Sequence, residues 1–225
     1  EFVWRNTYFP KLSLIQISTE NKIYIIDCFS LNTTKLERVL SNKNITKIFH
    51  SIRGDSSVLY NCLGIKINNI FDTQLAENIL NEKDANQISY KKLVKKYFFK
   101  DISKSETNSN WEKRPLREKQ LEYAAEDVRY LHVIMKIQLK KLNRLGKKDL
   151  FYSLCNKEKS AGEEDFSESR LKRLLKKNRN ISNIEVKIFS WREKQAQYLD
   201  IPPSHIIEDR DLKRLKKILD KKKFD

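Results

Sequence analysis

Cysteine and long apolar runs are scarce in this sequence of 225 residues. The three cysteines, Cys28, Cys62 and Cys155, lie far apart and lack the spacing of metal ligands. Such thiols are more typical of small buried side chains in a cytoplasmic protein than of a disulfide framework. No apolar run approaches the roughly 20 residues that a membrane-spanning helix needs. The sequence thus argues against a disulfide-rich secreted protein and against an integral membrane protein.

Methionine is also scarce, and none stands at the start. The chain begins with Glu1, and Met135 is its only methionine. We therefore expect the chain to be trimmed, processed or incomplete. The first residues also lack the basic patch, apolar segment and small-residue cleavage site of a signal peptide.

Acidic residues are outnumbered by basic ones. The chain has 46 Lys and Arg against 30 Asp and Glu, a net charge of +16. This charge favours a polyanionic partner, either nucleic acid, which we prefer, or an anionic membrane surface. Residues 166–225 hold 17 basic and 9 acidic side chains, a net of +8, so the other +8 belongs to residues 1–165. Charge alone does not show which part binds the partner.

The first half of the sequence has the pattern of an α/β domain. Two β-branched apolar runs, LSLIQIS (12–18) and KIYIID (22–27), are separated by three polar residues and predict an antiparallel hairpin. The run ITKIFH (45–50) predicts a third strand, which follows a helical segment at 33–40.

Apolar residues at three- and four-residue spacing predict further helices after this strand. These segments are 55–63, 72–80 and 89–98, with Asp55, Asp72 and Ser89 as candidate N-caps. A long helix with Pro115 in its first turn is then expected to run to Gly146.

The last part of the sequence predicts a small all-α unit after a linker. We expect the linker at 151–165, because NKEKSAGEED (156–165) is charged, poor in apolar residues and contains Gly162. Beyond it, apolar residues recur at helical spacing in three groups: the leucines of SRLKRLLKK (169–177); Ile184, Ile188 and Trp191; and Leu212, Leu215 and Leu219.

Tyr123 and Asp127 stand four residues apart, so a helix would place them on one face. The stretch around them, WEKRPLREKQLEYAAEDVRYL (111–131), closely resembles the third motif of the ribonuclease D family of 3′-to-5′ exonucleases. In that family the tyrosine and aspartate of a Y-x-x-x-D pair serve the metal site. The resemblance implies this role for Tyr123 and Asp127, and the alanines between them would let the helix lie close to the sheet.

Two further segments extend the resemblance. ITKIFHSIRGDSSVLYN (45–61) resembles the second motif, whose aspartate matches Asp55. EFVWRNTYFPKLSLIQIS, at the start of the chain, resembles the stretch just after the aspartate of the first motif, Asp-x-Glu. Glu1 would be that glutamate, and the aspartate would fall two residues before the chain begins. Asp72, in IFDTQLA (70–76), is expected to cap a helix and not to bind metal.

The resemblance implies a two-part architecture. Residues 1–150 would form a ribonuclease H-like α/β exonuclease domain, with its first strand missing from this chain. Residues 166–225 would form a helical domain of the helicase and ribonuclease D C-terminal type (HRDC-like), which is incomplete if the chain is cut. The segment that carries this second resemblance is KIFSWREKQAQYLDIPPSHIIEDRDLKRL (187–215).

The implied chemistry is hydrolysis of RNA 3′ ends by two divalent cations, Mg²⁺ or Mn²⁺, about 4 Å apart. Glu1, Asp55 and Asp127 would be metal ligands, since hard cations prefer carboxylate oxygens, and Tyr123 would position the attacking water. One ligand of the family set is absent, so we expect weak cation binding and little turnover from this chain. Phe2, Lys104 and Ser105 are candidate contacts with the nucleic acid.

The family points to tRNA precursors as the RNA substrate, to release of nucleoside 5′-monophosphates, and to a cytoplasmic protein, for which we favour a monomer. Two alternatives stay open: a catalytically dead nucleic-acid-binding remnant, and a DNA-directed 3′-5′ exonuclease. Beside the site, Arg114 is expected to be structural, and His50 to be packed and hydrogen bonded.

Overall fold

The computed structural model describes residues 1–30, 33–81, 87–103, 105–178, 181–208, 210–212, 214–215 and 218. The chain divides into two compact units. The first unit comprises Glu1–Val3 and Leu12–Glu163, and the second comprises Trp4–Lys11 and the chain from Glu164 onwards. Within the described residues, no helix combines the length and the apolar character needed to cross a bilayer.

The strands are short and pair two by two. The described residues contain six of them: β1 Phe2–Val3, β2 Lys11–Leu12, β3 Leu14–Ser18, β4 Ile23–Asp27, β5 Lys47–Phe49 and β6 Ile70–Asp72. β3 and β4 pair antiparallel from Leu14 opposite Asp27 to Ser18 opposite Ile23, which confirms the predicted hairpin. β5 pairs in parallel with β6, and β1 pairs with β2.

Helices make up most of both units. They are α1 Thr33–Leu40, α2 Ile52–Leu63, α3 Thr73–Leu80, α4 Tyr90–Phe98, α5 Glu118–Arg129, α6 Leu131–Arg144, α7 Lys148–Gly162, α8 Phe166–Lys177, α9 Asn183–Leu199 and α10 Pro203–Ile206. Side chains cap the N-termini of two helices: Asp165 is the N-cap of α8, and Ser182 is the N-cap of α9. Of the last predicted leucine group, Leu219 lies outside the described residues.

The core of the first unit lies where α2, α3 and α7 meet the parallel strands. Ile52, Phe71 and Phe151 are fully buried there, and the rings of Phe71 and Phe151 lie 4.6 Å apart. Burial of several large apolar side chains, each contributing about 1.5–3 kcal/mol, fixes these elements against one another.

The predicted linker at 151–165 is wrong, because α7 continues to Gly162. Phe151 and Cys155 are fully buried in α7, and the polar residues that come after them have partners in the same unit. Lys159 donates to the carbonyl of Ile67 at 3.2 Å, and Glu163 accepts from the Ile67 N–H at 2.8 Å. A charged, apolar-poor stretch thus forms a packed helix end, since Lys159 and Glu163 find partners in the same unit.

Two other sequence-based boundaries also differ from the structure. The expected long helix does not include Pro115; it begins at Glu118 and is interrupted at Tyr130, between α5 and α6. Asp55 lies in the first turn of α2 and is not its cap, since Ser51 occupies the N-cap position. Asp72 is an N-cap as expected, because its side chain accepts from the N–H groups of Gln74 and Leu75.

The second unit includes a segment that the sequence assigned to the first domain. Trp4–Lys11 packs with the C-terminal helices, where Tyr8 is fully buried beside Phe166 and Ala196. The N–H groups of Tyr8 and Phe9 both donate to Asp200 at 3.1 Å. The helical unit is therefore built from two separate stretches of sequence.

Candidate active site

Glu1 is held at the start of the hairpin sheet. Its carbonyl accepts hydrogen bonds from the N–H groups of Ser13 at 2.9 Å and Leu14 at 3.1 Å, and its amino group donates to the Leu14 carbonyl at 2.7 Å. Leu14 is buried against α5, the helix that carries Tyr123 and Asp127. Backbone pairing thus places Glu1 beside the strand that α5 covers.

Asp55 is placed by the turn between β5 and α2. Ser51 in this turn has a left-handed conformation, with φ of 69°. The buried Asp72 carboxylate stabilises the turn by accepting from the N–H groups of Ser51 at 3.0 Å and Ile52 at 2.8 Å. Because Asp72 also caps α3, one carboxylate joins the starts of two helices and fixes where Asp55 emerges.

Tyr123 and Asp127 lie on α5, which packs across β3 and β4. Ala124, between them, is fully buried in a cluster with Leu14 and Trp111, so the small side chain does allow close contact with the sheet. The Tyr123 hydroxyl lies 3.2 Å from Thr107 Oγ1 and also hydrogen bonds with Asp127. The pair therefore acts as one unit on one helix face.

The pKa values of Asp55 and Tyr123 are both raised. Asp55 reaches solvent but is crowded by protein, and this desolvation raises the pKa of its carboxyl to about 6. The carboxylates of Asp72 and Glu1 raise it further, against the opposing charge of the amino terminus. For Tyr123, desolvation comes first, and the negative charges of Asp127 and Glu1 add to the increase in pKa. The charge of Glu1 thus contributes to the raised pKa of both Asp55 and Tyr123, and burial is the largest cause in each case.

The described residues do not form a ready-made metal cage. Among them, no group of three or more His, Cys, Asp or Glu side chains lies close enough together to hold a metal ion. The donor chemistry nonetheless fits Mg²⁺ or Mn²⁺, because Glu1, Asp55 and Asp127 offer carboxylate oxygens. A bound cation would also oppose the rise in the pKa of Asp55, of which burial is the largest cause.

Phe2, Lys104 and Ser105 were the predicted contacts with nucleic acid. Phe2 is 41% exposed in β1. Ser105 is exposed in a local turn, where its N–H donates to the hydroxyl of Ser103 at 3.1 Å. Lys104 lies outside the described residues. Neither Phe2 nor Ser105 has a hydrogen bond or ion pair to the acidic residues in the described contacts.

Arg114 and His50 behave as the sequence suggested. Arg114 binds Asp27 through two hydrogen bonds, 2.6 and 2.9 Å, and donates to the Trp111 carbonyl at 2.8 Å. His50 bonds through its ring nitrogens to Thr73 Oγ1 at 3.0 Å and to the Ile88 carbonyl at 3.1 Å. Both residues therefore have structural partners.

Sequence reasoning missed two residues that contact the site. Thr107 touches the Tyr123 hydroxyl, and Tyr90 on α4 hydrogen bonds with the backbone beside Asp127. Thr107 stands in a polar loop and Tyr90 in an amphipathic helix, so neither carried a sequence signal. Each reaches the site only through the packing of distant segments.

Residues 1–143 match a protein family described as 3′-5′ exonuclease. The match covers more than half of the chain, and the chain therefore belongs to the 3′-5′ exonuclease family.

Within this family, the similarity is to ribonuclease D, as the motifs indicated. Ribonuclease D of Desulfotalea psychrophila is 35% identical over 93% of this chain and 57% of that protein. Ribonuclease D of Bartonella henselae is 34% identical over 93% of this chain and 52% of that protein. The chain thus spans a little over half the length of these relatives.

Solved structures support the same fold. Escherichia coli RNase D, described as an exoribonuclease involved in structured RNA processing, matches with a TM-score of 0.84 and 25% identity, over 94% of this chain and 57% of that one. Brucella melitensis NrnC with bound Mg²⁺ matches with a TM-score of 0.62 and 25% identity, over 72% of this chain and 82% of that one. The predicted fold, a ribonuclease H-like exonuclease domain with a helical domain, is confirmed.

Proposed function

We propose that this chain is the catalytic part of a 3′-to-5′ exoribonuclease that releases nucleoside 5′-monophosphates one at a time. The observation that carries the proposal is the position of Glu1. In a member of the 3′-5′ exonuclease family, its backbone pairs with Ser13 and Leu14, and Leu14 packs against the helix that carries Tyr123 and Asp127.

Glu1, Asp55 and Asp127 would hold the divalent cations, Mg²⁺ or Mn²⁺. Bound cations supply an activated water and neutralise the charge that develops on the departing oxygen. The carboxylates of this chain would set where the cations bind, because a carboxylate with like-charged neighbours, as Asp55 has in Asp72 and Glu1, is stabilised by positive charge.

Tyr123 would orient and not deprotonate the attacking water. Burial and the nearby carboxylates raise its pKa above the ordinary value of 10.0, so the phenol keeps its proton near pH 7. Tyr123 Oη can then donate to Asp127 or accept from a water, which fixes the direction of that water. Thr107, 3.2 Å away, limits the rotation of the hydroxyl.

The substrate that we propose is RNA, with tRNA precursors as the case to test first. Support comes from the ribonuclease D relatives, and from a Brucella melitensis NrnC structure with bound pGG, which matches with a TM-score of 0.63. The net charge of +16 would attract the phosphate backbone without regard to sequence. We further propose a monomer in the cytoplasm.

The test is trimming of a 5′-labelled RNA with a single-stranded 3′ end, in the presence of Mn²⁺, by a form of the protein extended upstream of Glu1. Asp55→Asn and Asp127→Asn should each lower the rate about a hundredfold or more, since a metal ligand supplies several kcal/mol of transition-state stabilisation. Glu122→Gln is the matched control, because this exposed carboxylate lies on the same helix one residue before Tyr123. Unchanged trimming by Asp127→Asn would overturn the assignment.

Both this chain and a form extended upstream should be assayed, with cation affinity measured by calorimetry. If the segment upstream of Glu1 carries the aspartate of the family's first motif, the extended form should bind Mn²⁺ more tightly and turn over faster. RNA binding without trimming in either form would favour a non-catalytic nucleic-acid-binding protein. Trimming of DNA but not RNA ends of equal length would favour a DNA-directed exonuclease.

A further inference from the structure

The helical path that carries Asp127 is interrupted one turn later by a side chain from another helix. In an uninterrupted α-helix, the N–H of Tyr130 would bond to the carbonyl of Glu126, four residues earlier. Instead the Tyr90 hydroxyl lies between them: it accepts from the Tyr130 N–H at 3.2 Å and donates to the Glu126 carbonyl at 3.2 Å. Such an insertion is a recognised cause of helix breaks.

The backbone at the break agrees with this description. Tyr130 has φ of −100° and ψ of −6°, away from ordinary helical values, and its N–H also bonds to the Val128 carbonyl. α5 therefore ends at Arg129, and α6 begins at Leu131. Asp127 lies inside the opened turn, next to Glu126, so its orientation depends on the insertion.

Tyr90 also contacts His50, which lies in the turn between β5 and α2, the helix that carries Asp55. Its ring packs edge to face against His50, with centroids 5.6 Å apart. His50 follows β5, comes two residues before α2 and is anchored by Thr73 and Ile88. Gln74 Nε2 also donates to the Ile88 carbonyl, at 2.9 Å, next to Ser89 at the start of α4. The ring of Tyr90 thus contacts His50, just before the helix that carries Asp55. Its hydroxyl separates the Glu126 carbonyl from the Tyr130 N–H in the helical turn that contains Asp127.

We propose that Tyr90 is a positioning residue, whose hydroxyl sets the Asp127 carboxylate relative to Asp55 for cation binding. The inference rests on the proposed function, since it assigns these carboxylates to the cations. Side chains that orient metal ligands in this way typically contribute about 10- to 100-fold in affinity or activity.

The test compares Tyr90→Phe with Tyr97→Phe. Tyr97 lies on the same helix, but its hydroxyl donates to Glu77 at 2.7 Å, away from the Asp127 turn. Tyr90→Phe keeps the ring and its contact with His50, so we expect it to stay folded. It should weaken Mn²⁺ binding about tenfold and lower kcat by a similar factor, with KM for RNA nearly unchanged. Tyr97→Phe should lose stability but keep the wild-type Mn²⁺ affinity and kcat.

A second measurement detects the insertion directly. Because phenylalanine keeps the aromatic ring, changes in the backbone amide signals of residues 126–131 in Tyr90→Phe report the loss of the hydroxyl alone. Unchanged signals there would overturn the inference, as would Mn²⁺ affinity and kcat that match those of Tyr97→Phe. If the form extended upstream of Glu1 bound no Mn²⁺ and trimmed no RNA, the proposed function would fail, and the amide signals would still show whether the hydroxyl is inserted.

Discussion

The carboxylate of Asp72 accepts a 2.8 Å hydrogen bond from the backbone N–H of Ile52, the first residue of the helix that carries Asp55. Asp72 is 2% exposed and also accepts from the N–H groups of Ser51, Gln74 and Leu75. One side chain thus satisfies donors at the starts of α2 and α3. Buried donors that lose their acceptor are costly, so this carboxylate is central to the unit.

Asp72→Ala should lower the free energy of unfolding by about 2–4 kcal/mol and weaken cation binding by releasing the turn before Asp55. Asp165→Ala is the matched control, because Asp165 caps α8 alone, accepting from the Ser167 and Glu168 N–H groups, and should cost about 1 kcal/mol. Urea denaturation and calorimetry with Mn²⁺ measure the two effects. Equal costs for the two variants would contradict the bridging role of Asp72.

Gly162 lets α7 approach α2 closely. A Cβ at this position would lie 2.5 Å from the Arg53 carbonyl and closer still to Ser56 Oγ, so Gly162→Ala should push the two helices apart. Overpacking of this kind costs about 1–3 kcal/mol, measurable as a lower urea midpoint. Gly54 is also helical, but a Cβ there would meet no other atom within 4 Å, so Gly54→Ala should stabilise by about 0.4–1 kcal/mol. Destabilisation by both substitutions would argue against this contact.

Glu77 should make stability depend on pH. It is 2% exposed, and burial by itself would raise its pKa, but hydrogen bonds from Lys96, Gln138, Tyr97 and Asn81 lower the pKa below the ordinary 4.5. A lowered folded-state pKa means that the stabilisation is present above the unfolded value, near pH 4.5, and is lost as pH falls through the folded-state value.

Glu77→Gln should therefore be less stable than the wild type at pH 7, by about 1.5–3 kcal/mol for hydrogen bonds to a charged group. The difference should shrink as the pH falls below 4.5. Urea denaturation at a series of pH values from neutral down through this range measures it. A difference that stays constant over the series would show that the charge of Glu77 does not stabilise the fold.

Tyr8 should matter for the helical unit despite its position near the start of the chain. It is fully buried, its hydroxyl donates to Glu193 at 2.6 Å, and the Arg170 guanidinium lies 4.6 Å from its ring centroid. Tyr8→Phe leaves the buried Glu193 carboxylate short of a donor and should cost about 1–3 kcal/mol by thermal unfolding. Tyr198→Phe is the control, because Tyr198 is 85% exposed and its substitution should change little. Similar results for both would place Trp4–Lys11 outside the cooperative unit.

Local sequence pattern predicted the elements that local forces decide. The alternation in LSLIQIS and KIYIID indicated the hairpin, and the short polar side chain of Asp72 indicated a helix cap. The motif around Tyr123 and Asp127 led to the family, because catalytic chemistry restricts residue type and spacing more tightly than packing does. Glu1 and Asp55 were assigned from the same resemblance, and their role in the site stays a prediction.

The sequence could not predict features that arise between distant segments. Gly162 suggested a linker, but a glycine is equally compatible with a flexible turn and with a close helix contact. The stretch from Pro115 to Gly146 was predicted to form one helix, because its periodicity continues through the point where the Tyr90 hydroxyl enters from α4.

The sequence by itself determined the family, the acidic side chains and the alternation of strands and helices, since these depend on residue type and on spacing along the chain. Tertiary structure decided which helix ends Asp72 joins, where the Asp127 helix breaks, and that Trp4–Lys11 packs with the C-terminal helices. These features depend on hydrogen bonds and packing between residues far apart in sequence. Such contacts form only when the whole chain has folded, and no local pattern encodes them.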